Sequence, residues 1–236
     1  MARSISVLLT TYNRLQDTIK CLNKLEEQWV PGMEVFVLDD YHLRNDILET
    51  FCVKKRFKYV HTGMQKDGKV HWRVPGFALN IGAKMAEGDY YIIGGAEIYH
   101  MSKFTFLSMK ETEVASAPVI YDEPKDSRYD YHTYEKLNNK LPFCFGLPAD
   151  IYHTIGGYDE DFTGYCFDDN DFSDRVLSMT DFVTVDAEAI HLWNPRGAEN
   201  RGDTRITNRA WNHNRQLYMN RKNILVRNEG KDWGVL

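Results

Sequence analysis

The chain has 236 residues, a length that fits one large domain. Its net charge of −5 implies no overall attraction to nucleic acid or to an anionic membrane, and no apolar run approaches the ~20 residues of a membrane span. The four cysteines are scattered without CxxC spacing, which argues against a disulfide framework and a zinc site. We therefore expect a soluble, cytoplasmic protein with reduced thiols.

The N-terminal half alternates apolar strands with amphipathic helices. The run "SISVLLTTYN" predicts a strand that ends in a polar turn. Apolar residues then recur at near-helical spacing from Leu15 to Trp29, and Pro31 and Gly32 end that helix. "MEVFVLDDY" predicts a second buried strand, followed by a helix that runs to about Phe51.

The same alternation continues to residue 97. "FKYVHT" predicts a third strand, and a polar loop over 63–74 leads to Pro75, which suits the first turn of a helix. That helix is predicted to end at Gly88, before a fourth strand, "DYYIIGGAE". Strands and helices in this order predict an α/β fold, a mostly parallel sheet with helices on both faces.

Polar and acidic residues stand where these strands end. In an open parallel sheet the ligand binds outside the carboxyl ends of the strands. Side chains at neighbouring ends are therefore expected to converge on one crevice. The residues at these positions are Thr10, Thr11, Asp39, Asp40 and Glu97.

The second half is less regular. "EVASAPVI" predicts one strand, and residues 121–140 predict a loop because they are polar and rich in turn formers. A strand, a short helix and a Gly-Gly turn follow, and "DDNDFSDRVLSM" predicts another helix. "DFVTVDAEAIHLW" predicts the last strand, and an amphipathic helix is expected from about residue 205.

Five fragments, taken in order, resemble the family 2 and related glycosyltransferases of GT-A (Rossmann-like) fold. They are "SVLLTTYNR", "VFVLDD", "RVPGFALNIGAKMAEGDYYIIGGAE", "IGGYDEDFTGYCFDDNDFSDRV" and "IHLW", which together cover roughly residues 4–195. The piece "FTGYCFDDNDF" looks like the acidic motif of galactosyl- and N-acetylgalactosaminyl-transferases and chondroitin-type polymerases. The resemblance implies a single domain, with a nucleotide-binding half (1–100), an acceptor and catalytic half (101–200) and a helical tail (201–236).

For the donor, the resemblance implies contacts along the first strand ends. Asp39 would hold the uracil or ribose, Tyr12 would stack on the base, and Arg73 would neutralise phosphate charge. The family follows the aspartate pair with Gly-Ser, whereas this chain has Tyr41 and His42. The full set of implied donor residues is Thr10, Thr11, Tyr12, Arg14, Asp39, Asp40, Arg73 and Asn80.

For the metal, the resemblance implies a Mn²⁺ or Mg²⁺ ion that bridges the two phosphates. The family has Asp-x-Asp after the fourth strand, but here Gly95, Ala96 and Glu97 occupy the three positions. Glu97 and His191 are the implied protein ligands. One carboxylate with phosphates and water can hold such an ion, and an imidazole favours Mn²⁺.

For catalysis, the resemblance assigns the general base to Asp169 and acceptor hydroxyl binding to Asp168. A base takes the proton of the acceptor hydroxyl as its oxygen attacks the anomeric carbon. A helix N-terminus is expected to keep these carboxylates ionised. Phe167, Tyr165 and Gly164 are the other implied acceptor residues, Asp171 would cap the helix or bind sugar, and Phe172 would lie in the core.

The segment "NPRGAENRGDTR" resembles the loop that closes over the donor in such enzymes, where Arg196, Arg201 and Arg205 would reach the diphosphate. The predicted function is a metal-dependent, inverting glycosyltransferase that uses a nucleotide-sugar, with a UDP-sugar favoured, and a glycan or another hydroxyl-bearing acceptor.

Three alternatives stay open. A nucleotidyltransferase would need a Gly-rich basic first loop, which "TTYNRLQD" lacks. A catalytically silent sugar- or nucleotide-binding module is favoured by the incomplete Asp-x-Asp motif and opposed by the intact Asp168–Asp169 pair. A transferase acting on modified nucleic acid bases is allowed by the basic tail between Arg201 and Arg227, although the net charge gives a nucleic acid partner no support.

Overall fold

The computed structural model describes residues 4–63, 65–66, 69–70, 73–100, 114–124, 132–136, 140–164, 166–186, 188–192 and 204–236. Their strands are, in chain order, β1 (Ile5–Thr11), β2 (Met33–Asp39), β3 (Lys58–His61), β4 (Gln65–Lys66), β5 (Lys69–Val70), β6 (Tyr90–Gly95), β7 (Ile98–His100), β8 (Val114–Ser116), β9 (Val119–Pro124), β10 (His132–Lys136), β11 (Cys144–Pro148), β12 (Phe182–Thr184) and β13 (Ala189–His191). The helices are α1 (Leu15–Leu25), α2 (Asp46–Lys54), α3 (Gly76–Met85), α4 (Ala149–Thr154), α5 (Asp168–Leu177) and α6 (Thr204–Arg221).

The main sheet has seven strands in the order β12-β8-β11-β6-β1-β2-β3. Strand β1 is parallel to both of its neighbours, and β2–β3 and β8–β12 are also parallel pairs. Only β11 runs antiparallel to the strands beside it in this sheet as described. The predicted α/β fold with a mostly parallel sheet is therefore confirmed. A second sheet has the order β10-β9-β13-β7.

Each central strand is buried on both faces, because helices cover both sides of the sheet. Successive side chains of a strand point to opposite faces. In β1, Val7 and Leu9 belong to one apolar cluster and Leu8 belongs to the other. The first cluster includes Leu22 of α1 and Leu48 of α2, and the second includes Leu79 of α3 and Phe172 of α5.

Two segments predicted as single strands each form two. Pro118 separates β8 from β9, which belong to different sheets, because proline has no N–H to donate to a ladder. The last predicted strand is likewise divided into β12 and β13, one in each sheet. The loop predicted over 121–140 was wrong, since β9 extends to Pro124 and pairs with β10 as an antiparallel ladder.

Two boundaries in the first half also differ from the prediction. Helix α3 ends at Met85, because Ala86 is extended (φ −77°, ψ 141°) and the next N–H groups bond elsewhere. The Gly88 N–H donates to the Ser6 hydroxyl at 2.9 Å. The predicted polar loop over 63–74 contains the short β4–β5 hairpin in its described part.

No helix in the described part of the chain has the length and apolar character needed to cross a membrane. All four cysteines are free thiols, three of them buried and Cys166 exposed.

Candidate active site

The carboxyl ends of β1, β2 and β6 lie side by side. Thr11 is in register with Asp39, and Thr10 with Gly95. The N–H of Asp40 donates to the Thr11 carbonyl at 3.0 Å, so the backbone ties the first two strand ends together. These polar residues therefore share one edge of the main sheet.

The two aspartates after β2 are held in different ways. Asp39 is buried, its Oδ2 accepts from the Tyr59 hydroxyl at 2.8 Å, and its Oδ1 accepts from the Tyr41 N–H at 3.3 Å. Burial raises the pKa of Asp39, and these hydrogen bonds only partly oppose that rise. Asp40 pairs with the guanidinium of Arg73, whose Nη2 lies 2.7 Å from Oδ1 and whose Nε lies 3.1 Å from it. The charge of Arg73, predicted to face phosphate, is thus directed at Asp40.

The side chains of the first loop face different neighbours. The Thr11 hydroxyl lies 2.7 Å from the Thr18 hydroxyl in α1, which makes it an inward contact. The Tyr12 ring meets the Tyr41 ring edge to face, with centroids 5.3 Å apart. These two rings form an aromatic pair next to the ends of β1 and β2.

The structure gives Asn80 a role other than the predicted donor contact. Its amide nitrogen donates to the Tyr158 carbonyl and to Glu160, both at 2.9 Å. Its amide oxygen accepts from the Tyr152 hydroxyl at 2.8 Å and from the Tyr158 N–H at 2.9 Å. Both the nitrogen and the oxygen of this fully buried amide are therefore occupied by hydrogen bonds that fix the turn that follows Gly157.

Glu97 lies in the turn between β6 and β7 and contacts two nitrogen groups. Its Oε1 is 3.4 Å from His191 Nε2 and 3.3 Å from Arg14 Nη1. A Cβ added to Gly95 would lie 2.6 Å from the carboxyl carbon of Glu97, so this carboxylate folds back over Gly95. Burial raises the pKa of Glu97, but the His191 hydrogen bond and the charges of His191 and Arg14 outweigh it, and the pKa is lowered overall.

A second group of carboxylates begins helix α5. Phe167, the residue before the helix, has a left-handed backbone (φ 70°), as does Cys166 (φ 73°). Asp168 is buried, and Asp169 is partly buried and accepts a long hydrogen bond of 3.3 Å from the Tyr158 hydroxyl. Tyr158 is in turn stacked on Phe172, with ring centroids 4.1 Å apart.

Residues 6–101 match the family model described as "Glycosyl transferase family 2". The match covers less than half of the chain. A comparison with curated protein sequences found no match. The family match ends before α5, so the likeness of "FTGYCFDDNDF" to the galactosyltransferase motif stays a prediction.

Three solved structures are similar to the chain. TarS of S. aureus has a TM-score of 0.60 and 17% identity, over 82% of this chain and 37% of that one. Mannosyltransferase PcManGT from Pyrobaculum calidifontis, solved with GDP-Man and Mn²⁺, has a TM-score of 0.57 and 18% identity, over 84% and 59%. GalNAc-T7, solved with UDP, GalNAc and Mn²⁺, has a TM-score of 0.60 and 12% identity, over 81% and 44%. The predicted GT-A fold is confirmed, and the chain spans less than two thirds of each of these structures.

The pKa values of both carboxyl groups at the start of α5 are raised. Burial and the neighbouring charge of Asp169 raise the pKa of Asp168 well above its usual value. Burial also raises the pKa of Asp169 to about 6, while the hydrogen bond from Tyr158 lowers it. The helix N-terminus was expected to favour the ionised form of these carboxylates, but at Asp168 desolvation outweighs the backbone hydrogen bonds and the pKa is raised.

The other two acids of α5 have separate tasks. Asp171, 2% exposed, pairs with Arg175 at 2.8 Å and with Arg227 at 2.5 Å. It neither caps the helix nor is available to a sugar, contrary to the prediction. Asp174 accepts a hydrogen bond from the Tyr218 hydroxyl at 2.5 Å. Among the described residues, Asp168 and Asp169 therefore have no cationic partner, whereas Asp171 pairs with two arginines and Asp174 bonds to Tyr218.

The predicted acceptor residues lie partly against the tail. The ring of Phe167 packs on Trp211 and Tyr218 of α6, with centroids 5.5 and 5.7 Å away. Gly164 has a positive φ of 69°, which glycine adopts without strain. Phe172 is fully buried in the core, as predicted. Tyr165, Arg196 and Arg201, and the side chain of Arg205, lie outside the described residues, with most of the predicted closing loop.

Sequence reasoning missed three residues that shape the site. Tyr158 contacts Asp169, Tyr59 holds Asp39, and Arg227 is buried against Asp159 and Asp171. Tyr158 stands in the quoted turn "IGGYDEDF", and its place beside the acidic motif was the available signal. Neither Tyr59 nor Arg227 has a local sequence signal, because each meets its partner only through the fold.

Proposed function

We propose that this domain is an inverting glycosyltransferase that moves a sugar from a nucleotide-sugar to a hydroxyl group, with Asp169 as general base. The observation that carries the proposal is the carboxylate pair at the start of α5. Within the described residues neither Asp168 nor Asp169 forms an ion pair, although each is wholly or partly buried. A partly buried carboxylate without a cationic partner is typical of proton chemistry rather than of structural pairing.

The proposed chemistry is one displacement. The acceptor oxygen attacks the anomeric carbon on the face opposite the nucleotide, its proton passes to Asp169, and the bond to the diphosphate breaks with its electron pair on the diphosphate. A base works best when its pKa is close to the working pH. The pKa of about 6 leaves Asp169 largely ionised at neutral pH. Asp168, whose pKa is raised by burial and by the charge of Asp169, would hydrogen-bond an acceptor hydroxyl.

We propose a UDP-sugar as the donor, bound at the ends of β1, β2 and β6. TarS has been solved with UDP-GlcNAc and GalNAc-T7 with UDP, whereas the mannosyltransferase holds GDP-Man, so the panel of donors must include other nucleotides. The Tyr12–Tyr41 ring pair suits stacking on a flat base. Asp39 and Asp40 offer carboxylate oxygens to base or ribose, and Thr10 and Arg14 stand on the same edge.

A divalent ion, Mn²⁺ or Mg²⁺, is part of the proposal, with Glu97 and His191 as the residues that would hold it. These residues fit such an ion in kind: the Glu97 carboxylate lies 3.4 Å from the His191 imidazole, and carboxylate oxygen and imidazole nitrogen are both ligands for Mn²⁺. When bound, such an ion would supply positive charge to the leaving diphosphate. The fold-back of Glu97 over Gly95 is a reason why one long acid can stand in for the first aspartate of the motif.

The proposed acceptor is a glycan or another hydroxyl-bearing molecule near Phe167, Gly164 and Tyr165. We also propose that residues 1–236 form one GT-A domain and that the protein is cytoplasmic.

The test is nucleotide release from UDP-, GDP- and TDP-sugars with Mn²⁺ or with EDTA, on wild type, Asp169→Asn and Asp174→Asn. We expect slow, Mn²⁺-dependent release from one donor. Asp169→Asn should lower it by about 10²-fold or more, the usual worth of a positioned base. Asp174→Asn makes the same chemical change on the same helix, at an acid bonded to Tyr218, and should leave the rate within about twofold.

Equal loss in both variants would contradict the assignment of Asp169. Tight binding of one nucleotide without turnover would favour the catalytically silent module, an alternative that the incomplete Asp-x-Asp motif supports. Absence of binding to every nucleotide in the panel would contradict the proposed function as a whole.

A further inference from the structure

A guanidinium stands at the carboxylate that the proposed divalent ion would use. Arg14 Nη1 lies 3.3 Å from Glu97 Oε1, the same oxygen that faces His191 Nε2. The side chains of Arg14 and Glu97 are 12% and 20% exposed. Salt and water therefore screen this contact less than they would a surface pair.

Arg14 is fixed in this position from other sides as well. Its Nη2 donates to the Leu192 carbonyl at 2.9 Å and lies 3.2 Å from Asp17 Oδ2. The Leu192 N–H in turn donates to the Glu97 carbonyl at 3.1 Å. The guanidinium thus joins the start of α1, the residue after β13 and the β6–β7 turn, and its place beside Glu97 is built into the fold.

The charge of this site differs from that of a tight divalent site. Affinity for hard cations rises with the number of charged ligands. Among the residues that the structure describes, no group of three or more His, Cys, Asp or Glu could hold a metal ion. Glu97 supplies one negative charge, and the positive charge of Arg14 lies beside it. An ion bound to Glu97 Oε1 would also face that guanidinium.

We propose that Arg14 is a positioning residue that holds Glu97 in the absence of a metal ion and weakens the binding of Mn²⁺ before the donor arrives. The proposal rests on the metal role given to Glu97 and His191 under the proposed function. The diphosphate of the donor has negatively charged oxygens. These oxygens can accept hydrogen bonds from Arg14 and can also bind the ion. Productive metal binding would then depend on the bound nucleotide, so the site would bind little metal before the donor arrives.

The test measures binding of Mn²⁺ alone to the full chain, without nucleotide, from the electron paramagnetic resonance signal of the free ion. The variants are Arg14→Gln, Arg14→Lys and Glu97→Gln. Removing one positive charge close to a divalent ion should tighten binding by about tenfold, which corresponds to about 1.4 kcal/mol. Arg14→Lys keeps the charge and should stay closer to wild type than to Arg14→Gln.

The control for net charge is Lys24→Gln. Lys24 pairs with Glu27 at 2.8 Å near the other end of α1, roughly 15 Å from Arg14 at the helical rise per residue. It should leave Mn²⁺ affinity unchanged. Thermal unfolding of each variant shows whether it is folded, and the Arg14→Lys variant keeps the comparison valid if loss of the Leu192 contact loosens the Gln variant.

The outcomes separate the two proposals. Tighter Mn²⁺ binding in Arg14→Gln, lost again when Glu97→Gln is added, is the expected result. If Arg14→Gln binds Mn²⁺ no more tightly than wild type while Glu97→Gln weakens binding, the metal site stands and the role of Arg14 is overturned. If Glu97→Gln changes nothing in either background, the proposed metal ligand is wrong and this inference fails with it.

Discussion

Helix α5 carries carboxylates in two electrostatic environments within one turn. Asp171 lies between Arg175 and Arg227, and all three side chains are at most 3% exposed. Asp168 and Asp169, which precede it, have no cationic partner in the described part of the chain. The same residue type, in the same turn, thus serves a structural role when paired and keeps a raised pKa when unpaired.

The difference between the two environments arises because the segment after α6 folds back against α5. Residues after α6 bring Arg227 back to α5, where its Nε lies 3.1 Å from Asp159 and its Nη2 2.5 Å from Asp171. Asn228 follows and donates to the carbonyls of Gly156 and Tyr158 at 2.9 and 2.7 Å. The tail therefore neutralises one side of the helix start and supports the turn that carries Tyr158. None of its described side chains forms an ion pair with Asp168 or Asp169.

The largest expected effect is on the paired side. Arg227→Met leaves Asp159 and Asp171 with fewer buried partners, and breaking a buried ion pair in this way usually costs about 3–5 kcal/mol. Urea unfolding should show that loss in the free energy of unfolding. The control is Lys231→Met: Lys231 is 47% exposed and pairs with Asp161, so its loss should cost under about 1 kcal/mol. An equal loss in the free energy of unfolding in both variants would mean that the buried ion pairs of Arg227 do not hold the tail against α5.

The unpaired side should respond in the opposite direction. Since burial raises the pKa of Asp169 to about 6, above the ~3.9 of an unfolded chain, the folded state binds more protons between these values. Stability of the wild type therefore falls as the pH rises through about 6, and the cost is complete above it. Asp169→Asn, which stays neutral, should stabilise the protein by about 1–2 kcal/mol at pH 7.5 and have no effect near pH 4.

The same chemical change two residues along is the control. Asp171→Asn removes the anion between two buried arginines and should destabilise the protein at pH 7.5. Urea unfolding at pH 4 and pH 7.5 gives both values. Destabilisation by Asp169→Asn at neutral pH would show that this carboxylate is paired after all.

Local patterns were enough to predict the fold but not the pairing of charges. Apolar runs such as "VLL" and "VFVL" indicate buried parallel strands, and the strand ends indicate the edge where Asp39 and Glu97 lie. Glu97 and His191 were predicted as partners and lie 3.4 Å apart, because His191 ends β13 opposite Ile98, the first residue of β7, and Glu97 directly precedes Ile98. Their metal role stays a prediction.

Contacts between distant segments could not be predicted. Arg227 is 56 residues from Asp171, and nothing near either residue indicates that they meet. Asn80 was assigned to the donor by its segment alone, yet its amide fixes the Gly157–Tyr158 turn. The break between β8 and β9 could have been predicted, since a proline such as Pro118 inside an apolar run argues against one continuous strand.

The smallest expected effect concerns the tuning of the base. The Tyr158 hydroxyl lowers the pKa of Asp169, so Tyr158→Phe should raise it and move the acid limb of kcat/KM to higher pH. A weak hydrogen bond is worth about 0.5–1 kcal/mol, which is roughly half a pKa unit. The phenyl ring preserves the stacking on Phe172, so the fold should be unchanged. The measurement is kcat/KM against pH with the donor that supports turnover.

Tyr218→Phe separates this effect from the general loss of a tyrosine hydroxyl. Tyr218 donates to Asp174 on the exposed side of the same helix, and its removal should leave the acid limb where it is. A limb that stays fixed in Tyr158→Phe would mean that Asp169 is not the group whose ionisation limits the rate. A shift in Tyr158→Phe alone would link the unpaired side of α5 to the reaction, because a purely structural contact would change the rate without moving its pH dependence.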